Sequence, residues 1–156
     1  MSILTDPDWS RETPTRFWDP SRRLLRSIRK WQSARGGLAR RWWVLQHRLW
    51  SVVTGADIPV TCQIGGGLLM PHPNGIVIHP DARIGPNCLI FQQVTIGLVA
   101  STPEAPQIGA GVDIGAGARV LGAVTIGDGA RIGANAVVLR DVPAGRVAVG
   151  IPARLL

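Results

Sequence analysis

The sequence predicts a β-class chain: a coil of short parallel strands preceded by a short helical arm. Three observations carry this. Branched aliphatic residues recur every six positions through the later two thirds, a small residue fills the fifth position of each hexad, and all six tryptophans lie in residues 1–55, outside the repeat. The reading is therefore residues 1–55 as a basic, tryptophan-rich helical arm and residues 56–156 as the coil.

The hexads are clearest at Ile108, Ile114, Val120, Ile126, Ile132 and Val138, with Val112, Ala118, Val124, Ala130, Ala136 and Val142 at the fifth positions. Neither the period of 2 of a strand nor the period of 3.6 of a helix generates this spacing, so it is a repeat architecture. A triangular coil accounts for it. Each hexad makes one side, the aliphatic and the small residue point into a narrow interior, and glycine, asparagine or aspartate permits the corners. Three hexads complete a turn of about 18 residues, and turns stack as parallel strands at about 4.8 Å. The register continues back through Ile96, Ile90, Ile84 and Ile78, and again at Ile64 and Ile58.

Two interruptions stand out. The interval from Met70 to Ile78 is eight residues, so two are inserted around His72 and "PHPNG" is lifted off the regular wall. The stretch "LVASTPEAPQ", residues 98–107, breaks the hexad pattern and predicts a projecting loop, although Ile96 and Ile108 stay two periods apart. Such loops often cover binding grooves.

In the arm, helices are expected over residues 21–33 and 38–53, separated by a break at Gly36 and Gly37. Leu24, Leu25, Ile28 and Trp31 make one face of the first, with Arg22, Arg23, Arg26, Arg29 and Lys30 mostly elsewhere. Trp42, Trp43, Leu45, Leu49 and Trp50 in the second are expected to pack on the coil or on a partner subunit. Basic residues with tryptophans also suit an anionic membrane surface or a mainly ligand-binding role.

The net charge of +7 is concentrated early: residues 21–47 hold eight arginine and lysine residues and no acid. That permits nucleic acid, membrane or phosphorylated ligands without choosing between them. No run of 18 apolar residues could span a bilayer, and the opening "MSILTDPDWS" does not resemble a secretory signal, so the expectation is a cytoplasmic protein, with the inner membrane face as an alternative place. Cys62 and Cys88 form no CxxC pair and occupy fifth positions, which marks them as core filler. With three scattered histidines, no metal site is expected.

The motifs "GADIPVTCQIG", "PHPNGIVI", the hexad run from Ile108 and the ending "AVGIPARLL" together resemble the serine acetyltransferases of the hexapeptide acyltransferase superfamily, in particular their short sugar and exopolysaccharide acetyltransferase relatives. The resemblance covers residues 55–156. It implies a left-handed parallel β-helix, a homotrimer with active sites between subunits, and acetyl-CoA as cosubstrate. It places the general base at His72, in "PHPNG", and its orienting aspartate fifteen residues earlier at Asp57. Ala116 and Ala134 match positions whose main chain binds the pantetheine arm, and Arg154 in "IPAR" matches a contact to a phosphate of CoA. The chemistry agrees: an imidazole with a reference pKa near 6.5 can take a hydroxyl proton near neutral pH, and a carboxylate on its other nitrogen would stabilise the imidazolium. No activated cysteine or GxSxG elbow is present, which favours direct transfer over an acyl-enzyme. His79, near a corner, is expected to be structural.

The acceptor side departs from the family. The aspartate before the histidine is Pro71 here, the "RHP" of the projecting loop is represented by Glu104, Ala105 and Pro106, and the long amino-terminal helical domain is reduced to about 55 residues. A free amino acid needs charged partners for its carboxylate and ammonium, whereas a sugar hydroxyl does not. The expected function is therefore acetyl-CoA-dependent O-acetylation of a sugar or polysaccharide precursor, with serine, or another hydroxyl or amine, as the alternative acceptor. A noncatalytic β-helix trimer is the alternative from another class, and nucleic-acid binding is disfavoured.

Overall fold

A computed structural model describes residues 5–100 and 102–156. Residues 1–4, part of the opening stretch read above, and Ser101, within the predicted loop, lie outside the described residues.

The fold is a left-handed parallel β-helix carrying a helical arm. Among the described residues, thirteen short strands, β1 (Gln63–Ile64), β2 (Val77–Ile78), β3 (Arg83–Ile84), β4 (Leu89–Ile90), β5 (Thr95–Gly97), β6 (Gln107–Ile108), β7 (Asp113–Ile114), β8 (Arg119–Leu121), β9 (Thr125–Ile126), β10 (Arg131–Ile132), β11 (Val137–Val138), β12 (Val147–Val149) and β13 (Arg154–Leu155), form three sheets, the sides of a prism. One side stacks β2, β5, β8 and β11, the next β1, β3, β6 and β9, and the third β4, β7, β10 and β12, with β13 folding back antiparallel on β12.

The hexad residues fill the interior as expected. Ile58, Ile90, Ile96, Ile114, Val120 and Ile126 are fully buried, as are Cys62, Cys88, Val112, Ala118, Ala130 and Ala136 at the fifth positions. At many corners the third residue after an inward aliphatic has positive φ, as at Gly67, Asn87, Gln93, Gly111, Gly117, Gly129, Asn135 and Gly145. Glycine is free there, and asparagine tolerates the left-handed region better than most residues.

Coil length varies where the sequence was irregular. Asp57 bridges to Val77 and Gln63 pairs with Arg83, so the first coil takes 20 residues. Val77 pairs with Thr95, a regular 18. Arg83 then pairs with Gln107 and Thr95 with Arg119, which makes 24. The two periods between Ile96 and Ile108 thus add one side and one six-residue excursion. That loop is pinned by the antiparallel bridge Val99 to Thr102, with Thr102 and Val99 against Gly122 and with Ala105 and Pro106 buried at its return.

The arm holds a 3-10 turn at Trp9–Glu12, then α1 (Pro20–Ser33) and α2 (Gly37–Thr54). Pro20 suits the first turn of α1, where its missing N–H is no loss, and Gly55 closes α2 with a left-handed φ of 66°. Leu24, Leu25 and Ile28 join the core. The arm is tied to the coil by Glu12: its Oε1 accepts from the backbone N–H of Gly67 (2.9 Å) and Leu68 (3.2 Å), and both its oxygens pair with Arg29, which also donates to the carbonyls of Ile64 and Gly65.

The tryptophan-rich helix divides into two faces in the single chain. Trp43 and Trp50 are partly buried, but Trp42, Leu45 and Leu49 lie on an outer stripe with Leu38 and Val52, all at least half exposed in the single chain. Spacings of four and three place these five residues on one face, opposite the contacts of α2 with the protein. Among the described residues no helix is long and apolar enough to cross a membrane.

Candidate active site

The site is organised by one edge of the prism, the corner between the β4/β7/β10 side and the β2/β5/β8 side. Residues at this corner stack coil on coil through main-chain bonds. Gln93 N–H donates to the carbonyl of Asn74 (2.9 Å), Gly117 N–H to Gln92 (2.9 Å), and Asn135 N–H to Ala116 (2.8 Å). The turn holding His72 is therefore at the head of the edge, with Ala116 and then Ala134 below it. Three levels separate Asn74 from Ala134, roughly 14 Å at strand spacing.

His72 is exposed and faces solvent in the two-residue insertion. The turn is held from both sides: on the next coil Gln93 Nε2 donates to Asn74 Oδ1 (3.0 Å), and Gly75 N–H donates to the carbonyl of Gly55 at the end of α2 (2.9 Å). Ala116 is partly buried and Ala134 exposed, and the edge there carries no large side chain. At its foot the chain turns through Gly150 (φ 97°) and folds back so that Arg154 pairs with Val149. Arg154 is exposed, its Nη1 donating to its neighbour Ala153 (3.1 Å).

Asp57 sits on the first coil, on the side below which Val77 lies, with main-chain bonds to Ile76 and Ile78. Because the first coil takes 20 residues, His72 falls one corner short of Asp57, and fifteen residues do not place the two directly above one another. Their side chains share no hydrogen bond or ion pair, and both are exposed. The edge thus gathers His72, Ala116 and Ala134, with Asp57 and Arg154 on the adjoining sides.

The other two histidines have structural partners. His79 Nδ1 accepts from the N–H of Asp81 (3.2 Å), closing a turn, and His47 Nε2, 2.8 Å from the carbonyl of Ile58, fastens α2 to the coil. Cys62 and Cys88 are free thiols, both pushed up to about 11, chiefly by burial, so neither is a thiolate near neutral pH. Among the described residues no group of three His, Cys, Asp or Glu is placed to hold a metal.

The sequence reading missed what faces His72. A groove of about 670 Å³ runs between the 71–74 turn and the arm, and the arm lines it with Arg16, Trp18, Asp19 and Arg22. These residues are remote in sequence, and their only signal was charge within an irregular segment.

The family description "Bacterial transferase hexapeptide (six repeats)" matches residues 105–140. A serine acetyltransferase of Synechococcus elongatus is 43% identical over 115 residues, covering 72% of this chain and 47% of the relative. Serine acetyltransferase 5 of Arabidopsis thaliana is 46% identical over 132 residues, covering 83% and 41%. Among solved structures, a serine acetyltransferase in complex with CoA superposes with TM-score 0.76 at 33% identity, covering 90% of this chain and 58% of that one. The soybean enzyme complexed with serine gives 0.73 at 37%, covering 88% and 56%. The chain spans about half or less of the length of these curated relatives.

These findings correct the expected acceptor. Relatives at 43–49% identity are serine acetyltransferases, as are the matched structures, so the saccharide acceptor and the leaning towards exopolysaccharide enzymes are both overturned. The expectation rested on Pro71 and on Glu104, Ala105 and Pro106 lacking the family's charged residues, and charge contributed by the arm was not weighed.

Proposed function

We propose, for a chain that belongs to the hexapeptide transferase superfamily and has serine acetyltransferases as homologues, that it is an acetyl-CoA-dependent O-acetyltransferase whose acceptor is the hydroxyl of serine. The observation that supports this best is the edge itself: an exposed imidazole, His72, heads the same column of main-chain turns that carries Ala116 and Ala134.

In this reading acetyl-CoA lies along the edge, its pantetheine arm against the turns at Ala116 and Ala134 and a phosphate near Arg154. His72 takes the proton from the serine hydroxyl as its oxygen attacks the thioester carbonyl. The new C–O bond forms a tetrahedral oxyanion, its collapse breaks the C–S bond, and the proton on His72 passes to the departing thiolate. Asp57 is proposed to stabilise the imidazolium electrostatically, a role that asks it to approach the ring when substrates bind.

The reading extends to a homotrimer. Ala134 is exposed in the single chain, so a ligand lying there has one wall, and a neighbouring prism would supply the second. Sedimentation or light scattering giving three times the chain mass of 16.7 kDa supports it, and a monomer under assay conditions refutes it. Peripheral attachment of the arm to anionic lipid is a separate proposal. It is supported by the outer stripe of α2 and by nine basic residues and no acid over residues 20–56. Liposome co-sedimentation that stays at background with phosphate-bearing lipids would sink it.

The deciding experiment is release of CoA thiol from acetyl-CoA by the intact chain with L-serine. Serine-dependent release, lost in His72→Ala, supports the function. Release that does not depend on serine, or that survives the substitution, refutes it.

A further inference from the structure

Among the described residues, the titratable side chains lining the groove beside His72 are Arg16, Asp19 and Arg22, all from the arm. Two of the three are already satisfied. Arg22 Nη1 donates to Asp19 Oδ2 (3.1 Å) and to Thr15 Oγ1 (2.9 Å), while its Nε donates to the carbonyl of Arg11 (2.8 Å). Asp19 Oδ2 also accepts from the N–H of Thr15 (3.3 Å). Arg16 is different: it is exposed, and none of its five donors has a hydrogen-bond or ion-pair partner in the structure.

The Arg22–Asp19 pair is neutral overall, so Arg16 leaves one positive charge uncompensated on the wall facing the candidate base. A planar guanidinium matches a carboxylate with two parallel hydrogen bonds, a geometry a lysine does not reproduce. The segment that carries it is anchored: the Thr15 N–H donates to Asp19, Asp19 precedes the first turn of α1, and α1 is held to the coil through Arg29, Glu12 and the buried Leu24, Leu25 and Ile28.

We propose that Arg16 binds the α-carboxylate of the amino-acid acceptor, so that the arm supplies the cation missing from the projecting loop, where Glu104, Ala105 and Pro106 offer none. This rests on serine being the acceptor. It makes the arm part of the acceptor site as well as a helical support, and Arg16 a specificity residue whose contact is made to the part of the substrate that does not react. Holding the carboxylate is a binding contribution, made alike before and during the reaction, rather than a chemical one.

The test compares L-serine with L-serinamide, which keeps the hydroxyl and the ammonium but lacks the carboxylate, on the intact chain and on Arg16→Ala and Arg16→Lys. The intact chain is expected to prefer serine by roughly 10- to 100-fold in kcat/KM, the worth of a charge-assisted contact. Arg16→Ala is expected to lose most of that preference through a raised KM for serine, with kcat at saturating serine and the KM for acetyl-CoA nearly unchanged, and Arg16→Lys is expected to recover part of it. Melting curves check that the variants fold, which the exposure of Arg16 favours. If the intact chain acetylates serine but Arg16→Ala leaves its KM unchanged, or if the change falls on acetyl-CoA, the role of Arg16 is overturned and the function stands. If the intact chain does not acetylate serine, both fall.

Discussion

Glu12 and Arg29 form an ion pair at 2.9 Å that joins the irregular start of the chain to α1, and through the main chain of Gly67 and Leu68 it clamps both to the first coil. Glu12 is 8% exposed, so its loss would leave Arg29 Nε and two backbone donors without their acceptor. Removing one partner of a buried pair costs about 3–5 kcal/mol, and Arg29, a fifth exposed, keeps some access to water. Glu12→Ala is expected to lower unfolding stability by about 2–3 kcal/mol in urea titrations. It should also raise the KM for serine, because Arg16 and Asp19 follow the same segment. Unchanged stability would show that the clamp is not formed in solution.

His72→Ala is expected to reduce kcat by about 100-fold or more, the usual contribution of a positioned general base, with the KM for acetyl-CoA little changed. Because His72 is exposed, its removal should leave the melting temperature within a degree or two. A variant retaining more than a tenth of the activity would mean that another group takes the proton.

The stacked turns at Ala116 and Ala134 make a steric prediction. Ala134 is exposed, so Ala134→Phe fits the fold while filling the space against the edge. It is expected to raise the KM for acetyl-CoA at least tenfold without altering that for serine. Arg154→Ala is expected to weaken acetyl-CoA binding less, and mainly at low ionic strength, where charge on an exposed site is least screened. Equal effects on both substrates would place CoA elsewhere.

The two thiols make a prediction about alkaline pH. Both are raised from 9.0 to about 11 by burial, so the unfolded chain ionises first as pH rises. Their contribution is full below about pH 9 and is lost progressively up to about 11, one unit being worth about 1.4 kcal/mol per group. Melting temperature should therefore fall across that window, and Cys62→Ala with Cys88→Ala should flatten the fall. Native protein should resist alkylation at pH 7.5, and labelling within minutes would contradict the burial.

The coil was legible because its interior is narrow. Ile114 and Ala118, repeated at six-residue spacing, admit few other arrangements, and the left-handed corners fell at Gly117 and Asn135, where the sequence offered residues that tolerate them. Helix bounds came within a residue of expectation because Pro20, Gly36 and Gly55 punctuate them locally. The excursion after Gly97 was recognised as a loop, yet keeping the hexad phase concealed that it adds six residues to a coil. The acceptor side was misread because the charged residues that line the groove beside His72 come from the arm, remote in sequence from the turn they face.

By itself the sequence determined the repeat, the inward residues and the break that lifts His72 off the wall, since each depends on spacing along a periodic chain or on a local interruption of it, whereas the role of His72 as a base was implied by the family resemblance. Only the tertiary structure decided that the arm packs beside His72, that Asp57 lies a corner away, that Ala116 and Ala134 share an edge with His72, and that Trp42 faces outward while Trp43 faces in. Those relations depend on the 20- and 24-residue coils and on one ion pair between residues 17 apart, and such distances in space have no period for a sequence to display.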